Sequence, residues 1–253
     1  MKILLMLFLF APLAFCNTIY VKASGQSPIS RAMLSARAGD TIILADGKYQ
    51  EEVVVKNGVV LKAQNLFGAE IIGNGRNSVI TLGNGSTISG IVVSRGRNGV
   101  QSSNPGASIE NCWIRSNQGS GILATNRLPR ITNSIISNNL NSGIQASRIG
   151  STEGEFRNLT IAENRQNGID IDGDQRIYFV DCIFYRNGNR AVRASNIELI
   201  NISNSLVFPD QREFASQDGL SARPRFAKKY SRLKDNSPGK NRGSDGRDIG
   251  FNK

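Results

Sequence analysis

IENCWIRSNQGSGILA (residues 109–124) is followed by ITNSIISNNLNSGIQA (131–146), FRNLTIAENRQNGIDI (156–171) and FVDCIFYRNGNRAVRA (179–194), and these are one pattern written four times. An earlier copy, ISGIVVSRGRNGVQS (88–102), precedes them, and a fainter one starts at Ile202. Each runs apolar residue, Asn or a substitute, apolar pair, a second Asn, then Gly and Ile, with starts 21 to 25 residues apart. Self-similarity at this period marks a solenoid, in which a repeat that cannot bury its apolar face alone buries it against its neighbours. The Leu-rich consensus and helical half of a leucine-rich horseshoe are missing, so the repeats predict coils of short strands and turns.

Overlaid, the copies give columns. The first holds Asn111, Asn133, Asn158, Asp181 and Asn204, with Gly90 one coil earlier. Asn tolerates left-handed backbone and bonds its neighbours, so this column marks a turn. A second column holds Asn117, Asn139, Asn164 and Asn187, and a third Gly121, Gly143 and Gly168, with Ala191 in the fourth place. Between them Cys112, Ser134, Leu159 and Cys182, and Ile114, Ile136, Ile161 and Phe184, point one way while the residues between them point the other. The outward set after the first column, Val92, Trp113, Ile135, Thr160, Ile183 and Leu206, is an apolar stripe too long to face water. Residues 209–253 are expected to run back along it, anchored by Phe214, Leu220, Phe226, Tyr230 and Leu233; sugar stacking by Trp113 is the competing reading.

On these ladders, over residues 18–208, the chain resembles the right-handed parallel β-helix proteins of the pectate lyase superfamily. The resemblance implies an all-β fold: a right-handed parallel β-helix of about 22-residue coils with a short N-terminal capping helix. For that helix, Ser27 reads as N-cap and Pro28 as first residue, with Ile29, Ala32, Met33 and Ala36 at helical spacing. Thr41–Leu44 reads as the first strand, and Val59–Leu61, Ile71–Ile72 and Val79–Leu82 as strands of less regular early coils. The ending NSPGKNRGSDGRDIGFNK resembles the Ser-Pro, Gly, Asp-Ile-Gly ending of many β-helix surface proteins, where its role is structural.

Residues 1–16 read as a secretory signal, with Lys2, an apolar run from Ile3 and a small-x-small site at Ala14-Phe15-Cys16. Acylation of Cys16 in a lipobox-like setting is the alternative. The expected division is therefore signal 1–16, β-helix 17–208 and a basic C-terminal segment 209–253. Cys112 and Cys182 share a column three coils apart, about 14 Å at the usual strand spacing, which is too far for a disulfide. The formal net charge is +11 with no His, and every basic residue between Lys62 and Lys228 is Arg, a choice that suits bidentate binding of carboxylate or sulfate. No nucleic-acid module is recognisable. The expected partner is an anionic polysaccharide, met by a bacterial monomer that is secreted, periplasmic or on the cell surface and has no transmembrane segment.

In the resembling superfamily the substrate lies across the sheet formed by the strands after the Gly column and the loops beside it. Burying Val100, Ile122, Ile144, Ile169 and Val192 turns Gln101, Leu123, Gln145, Asp170 and Arg193 outward in consecutive coils. Neighbouring loops add Asp172, Asp174 and Arg176, and Arg148, Glu153 and Glu155, so acids and arginines are expected to converge here. A lyase on a uronic acid chain must neutralise the sugar carboxylate, remove the adjacent carbon-bound proton and protonate the leaving oxygen. The catalytic candidates are Arg193, Asp170, Arg148 and Arg176, an arginine base being what the resemblance implies. Gln101, Gln145 and Arg190 are substrate-binding candidates, and Asp170, Asp172 and Asp174 are candidate Ca²⁺ ligands. The alternative for Asp170 and Arg193 is a ladder that offsets like-charge stacking between coils.

Without His, the motifs of polygalacturonase-type hydrolases and alginate epimerases are missing, as are zinc sites built on His. No Lys in the repeats matches lyases with a lysine base, and DGKYQE (46–51) echoes pectin methylesterases without their remaining motifs. Three readings stay open: a lyase cleaving by β-elimination, a non-catalytic glycan-binding surface or matrix protein, and an inverting glycoside hydrolase using two of Asp170, Asp172 and Asp174.

Overall fold

The computed structural model describes residues 16–150, 154–209 and 220–252, so the signal sequence up to Phe15, Glu153 and Phe214 lie outside it. The described chain is a right-handed parallel β-helix with three sheets. The first has nine strands, from Thr18–Val21 to Ile200–Ser203; the second eight, from Gly47–Gln50 to Leu206–Phe208; the third seven, from Val53–Val55 to Val192–Ala194. One coil shows the logic: Ser108–Glu110 lies in the first sheet, Trp113–Arg115 in the second and Ile122–Thr125 in the third. Every pairing within the three sheets is parallel, and the register holds from coil to coil except for one slip between Ser147 and Ile149, as in Ile131 beside Phe156 and Phe156 beside Phe179. The first strand is Thr18–Val21, one earlier than expected, and it pairs with Thr41–Leu44.

Inward residues stack into continuous apolar columns. Ile80, Val100, Ile122, Ile144, Ile169 and Val192 fill the third sheet's inner face, and Phe156 stacks on Phe179 at 5.2 Å. Cys112 and Cys182 are buried free thiols, and burial pushes both up to about 12, which removes thiolate reactivity.

The two Asn columns do different work. Asn111, Asn133, Asn158, Asp181 and Asn204 all take positive φ, between 44° and 57°, and form the turn between the first and second sheets. The second column is the buried ladder: Asn117 Nδ2 donates to Asn139 Oδ1 (2.9 Å), Asn139 Nδ2 to Asn164 Oδ1 (2.9 Å) and Asn164 Nδ2 to Asn187 Oδ1 (3.0 Å). The same oxygens accept the backbone N–H groups of Asn117, Asn139 and Asn164. This ladder also explains the Gly column. A Cβ at Gly143 would lie 2.6 Å from the Gly168 carbonyl and 2.9 Å from Asn164 Nδ2.

Helix Pro28–Ser35 closes the open end on Ile29 and Met33. Ser27 is its N-cap residue and Pro28 its first, as expected, but the side chain does not cap it. Ser27 sits at φ 46° and makes no capping bond; Glu51 takes the role, accepting the N–H groups of Ile29 and Ser30, each at 2.9 Å. Lys56 Nζ donates to the carbonyls of Leu34 and Ala36 at the other terminus.

Tyr230, Leu233, Ile249 and Phe251 pack with Ile135, Ala162, Ile183 and Leu206 on the outer face of the second sheet. The ending binds the first Asn column. Gly250 N–H donates to the Asp181 carbonyl (2.7 Å), Ser244 N–H to Asp181 Oδ1 (2.7 Å), and Asn252 and Asn133 exchange two bonds of 2.7 Å. Gly250 has φ 91°, and a Cβ there would lie 2.7 Å from both Ile183 Cδ1 and Thr160 Oγ1. Gly250→Ala should therefore destabilise by about 1–3 kcal/mol, read as a lowered melting temperature, and an unchanged one would count against this close approach.

Candidate functional site

The strands of the third sheet place Val54, Thr81, Gln101, Leu123, Gln145, Asp170 and Arg193 side by side on its outer face. Their partners differ along the row. Asp170 is bound by Arg193 Nη1 at 2.6 Å and by Asn167 Nδ2 at 3.1 Å. With the arginine side chain 58% exposed, this ion pair adds little to stability, and it leaves Arg193 already charge-matched. Arg148 lies at φ 55° where the register slips between Ser147 and Ile149, and it is exposed, as are Arg176, Asp172 and Asp174. Asp172 accepts from Ser195 Oγ at 3.1 Å. Arg190 is exposed, with its N–H donated to Asn167 Oδ1.

The candidate calcium trio does not assemble: among the described residues no three carboxylates converge as a metal site requires. Asp170 is turned to Arg193 and Asn167.

The concavity lies further towards the N-terminus. A cleft of about 1180 Å³ runs over Val54, Thr81, Gln101, Leu123 and Gln145 and is walled by the loops from the second sheet to the third. Those loops bring in Glu52, Arg76, Asn77, Arg97, Gln118 and Asn141. Arg148, Asp170, Arg176, Arg190 and Arg193 do not line it. The cleft's arginines thus stand at the opposite edge of the sheet from the loops after the Gly strands.

Two features define what the cleft can bind. Arg76 and Arg97 are exposed and, among the described residues, form no ion pair, so two guanidinium forks face the groove uncompensated. Gln101 Oε1 accepts from Ser78 Oγ (3.1 Å), and Gln145 Oε1 from Ser120 Oγ (2.9 Å) and Asn141 Nδ2 (3.2 Å). With their oxygens tied to the wall loops, both glutamines have amide donors left for the groove. Glu52 Oε2 accepts from Asn77 Nδ2 at 2.9 Å, while its Oε1 is buried and has no partner. The lining is thus rich in donors and carries one carboxylate.

The model of the right handed beta helix region matches residues 77–210, just over half of the chain. The chain belongs to the right-handed β-helix family. Among solved structures, pectate lyase Pel9A superposes on this β-helix with a TM-score of 0.63 at 17% identity, over 77% of this chain and 64% of its own. A mannuronic acid specific polysaccharide family 6 lyase from human gut microbiota gives 0.62 at 13%, over 76% and 54%. An alginate lyase from Paenibacillus sp. str. FPU-7 gives 0.55 at 17%, over 77% and 88%. At such identities the likeness is one of fold alone, and the chain spans less than two thirds of the first of these proteins. Comparison with curated proteins gives no match. No helix of the described residues is long and apolar enough to cross a membrane.

The sequence named Gln101 and Gln145 of this β-helix's cleft and missed Glu52, Arg76 and Arg97. Arg76 and Arg97 stand in loops between strands of the second and third sheets, two and one coils before the regular copies reach full strength. The signal present was their position just ahead of the strands at Ile80 and Val100.

Proposed function

We propose that this protein is a secreted polysaccharide lyase that binds a uronic-acid-containing chain in the third-sheet cleft and cleaves it by β-elimination. The observation that carries the reading is the pair of uncompensated guanidinium groups, Arg76 and Arg97, above a floor of glutamine amide donors. Planar forks of this kind match carboxylates bidentately, and a groove open along successive coils suits an extended polymer. Three fold neighbours bear the names of lyases acting on pectate, mannuronic acid and alginate, which supports the same substrate class.

In β-elimination the proton on the carbon beside the carboxylate leaves to a base. Its electron pair becomes the carbon–carbon double bond, and the neighbouring C–O bond breaks with protonation of the leaving oxygen. Pairing the carboxylate with arginine withdraws its charge and makes that proton acidic enough to remove. Hydrolysis with inversion needs two carboxyl groups about 6.5–9.5 Å apart, and Glu52 alone lines the cleft, so elimination is favoured over that alternative.

The test is ultraviolet absorbance of the unsaturated product on pectate and alginate, paired with binding measurements. Arg97→Ala and Arg76→Ala should each weaken binding about tenfold, with Lys restoring only part. Arg193→Ala and the distant Arg165→Ala should lower it slightly, by a charge effect that salt screens. Equal losses for all four would abolish the site, and binding without product would leave a glycan-binding protein that does no chemistry.

A further inference from the structure

The C-terminal segment makes a second cavity, on the face away from the cleft. It has a volume of about 840 Å³ and lies between the hairpin Phe226–Lys228/Arg232–Leu233, the ending at Phe251 and Asn252, and the loop at Leu66 and Phe67. Leu66, Phe67 and Phe251 give it an apolar wall, and Lys228, Arg232 and Lys240 stand opposite a single carboxylate, Asp248. Lys240 is matched by Asp248 at 3.2 Å, but Lys228 and Arg232 are not. They face each other as cross-strand partners, both exposed and, among the described residues, without an ion pair. Like charges directly opposed on a two-stranded ribbon oppose its pairing. An anion between them would remove that penalty.

A second observation points to the same place. Phe67 holds φ 61°, a conformation costly for a bulky side chain, and its ring contacts Trp113 at 5.9 Å and Phe251 at 5.3 Å. The backbone strain fixes an aromatic ring at the cavity wall, the kind of local cost that persists where a ligand is held. Leu66, 36% exposed, continues the apolar surface.

We propose that this cavity is a second ligand site, for a single anionic sugar ring whose carboxylate or sulfate lies between Lys228 and Arg232 and whose C–H face rests on Phe67. A pyranose with one acidic substituent has that division, one apolar face and one charged edge. The site is separate from the cleft, so one molecule would hold two glycan chains.

Trp113, the sole tryptophan, touches Phe67 and reports on it. Titrating the intact protein with galacturonate, and separately with glucosamine 6-sulfate, should give a saturable change in its fluorescence with at least one probe; calorimetry of the Arg76→Ala/Arg97→Ala variant, in which the cleft is disabled, measures the same site without relying on the reporter. The probe that binds identifies whether carboxylate or sulfate is the source. Lys228→Ala with Arg232→Ala should raise that Kd about tenfold. Both side chains are exposed, so the fold should survive, and Arg232→Glu alone should weaken binding further. Arg97→Ala in the cleft should leave the response unchanged, which separates failure here from failure of the cleft reading. No saturable binding of either probe by either method, or an unaltered Kd in the double variant, overturns the proposal.

Discussion

Asn139→Leu should cost about 3 kcal/mol or more, a large part of the roughly 5–15 kcal/mol that holds a domain together. The leucine fills a similar volume, so the loss is polar. Asn139 Oδ1 accepts from both N–H groups of Asn117, at 3.1 and 2.9 Å, while its Nδ2 donates to Asn164 Oδ1 and to the Ile114 carbonyl. All of these groups are buried; Asn117 is 0% and Asn164 1% exposed. Each orphaned buried group costs about 1–3 kcal/mol, and water has no path to replace the lost partner. Urea unfolding should show a lower midpoint with little change in slope. Gln64→Ala, on an exposed turn, is the reference; equal midpoints for the two would mean that the ladder carries no stability.

Which of the two Asn columns lies inside was written in the sequence, but indirectly. Both recur at the same period, and composition cannot separate a left-handed turn residue from a buried hydrogen-bonding one. The Gly column separates them, because Gly121, Gly143 and Gly168 are required where the next coil's asparagine presses on the backbone. Ala191 is tolerated after Asn187, the last ladder asparagine described. The alternation of the regular coils fixed the third sheet's outer row from Gln101 to Arg193, since a one-residue slip would have turned Ile144 and Ile169 to water. The cleft was not legible in the same way. Glu52, Arg76 and Arg97 belong to loops whose side chains follow no column, and only three dimensions place them over Gln101 and Gln145. The Asp170–Arg193 pair was visible as neighbours, but sequence could not show that each would satisfy the other and leave the unpaired arginines three to five coils away.

Removing residues 209–253 should turn a soluble protein into an aggregating one that binds hydrophobic dye. The stripe it would uncover is not incidental surface: Ile135 and Leu206 are 0% and Ile183 1% exposed although they point away from the helix interior. Their cover comes from Tyr230, Leu233, Ile249 and Phe251. Burying one such side chain is worth about 1.5–3 kcal/mol, and four anchors together approach the stability of a whole domain before the entropy of ordering the tail is subtracted. That entropy is offset in part by the polar clamps on Asp181 and Asn133, which fix the ending at two coils of the turn column. A patch running over four coils, unprotected, presents an apolar face to any second molecule. The polar and apolar contributions are separable. Asp181→Ala removes the acceptor for Ser244 and should loosen the ending while the hairpin anchors Tyr230 and Leu233 stay docked, giving protease sensitivity near residue 244 without aggregation. A truncated protein that is soluble and dye-silent would show that the stripe tolerates water, and the tail would then have to be explained by its charge alone.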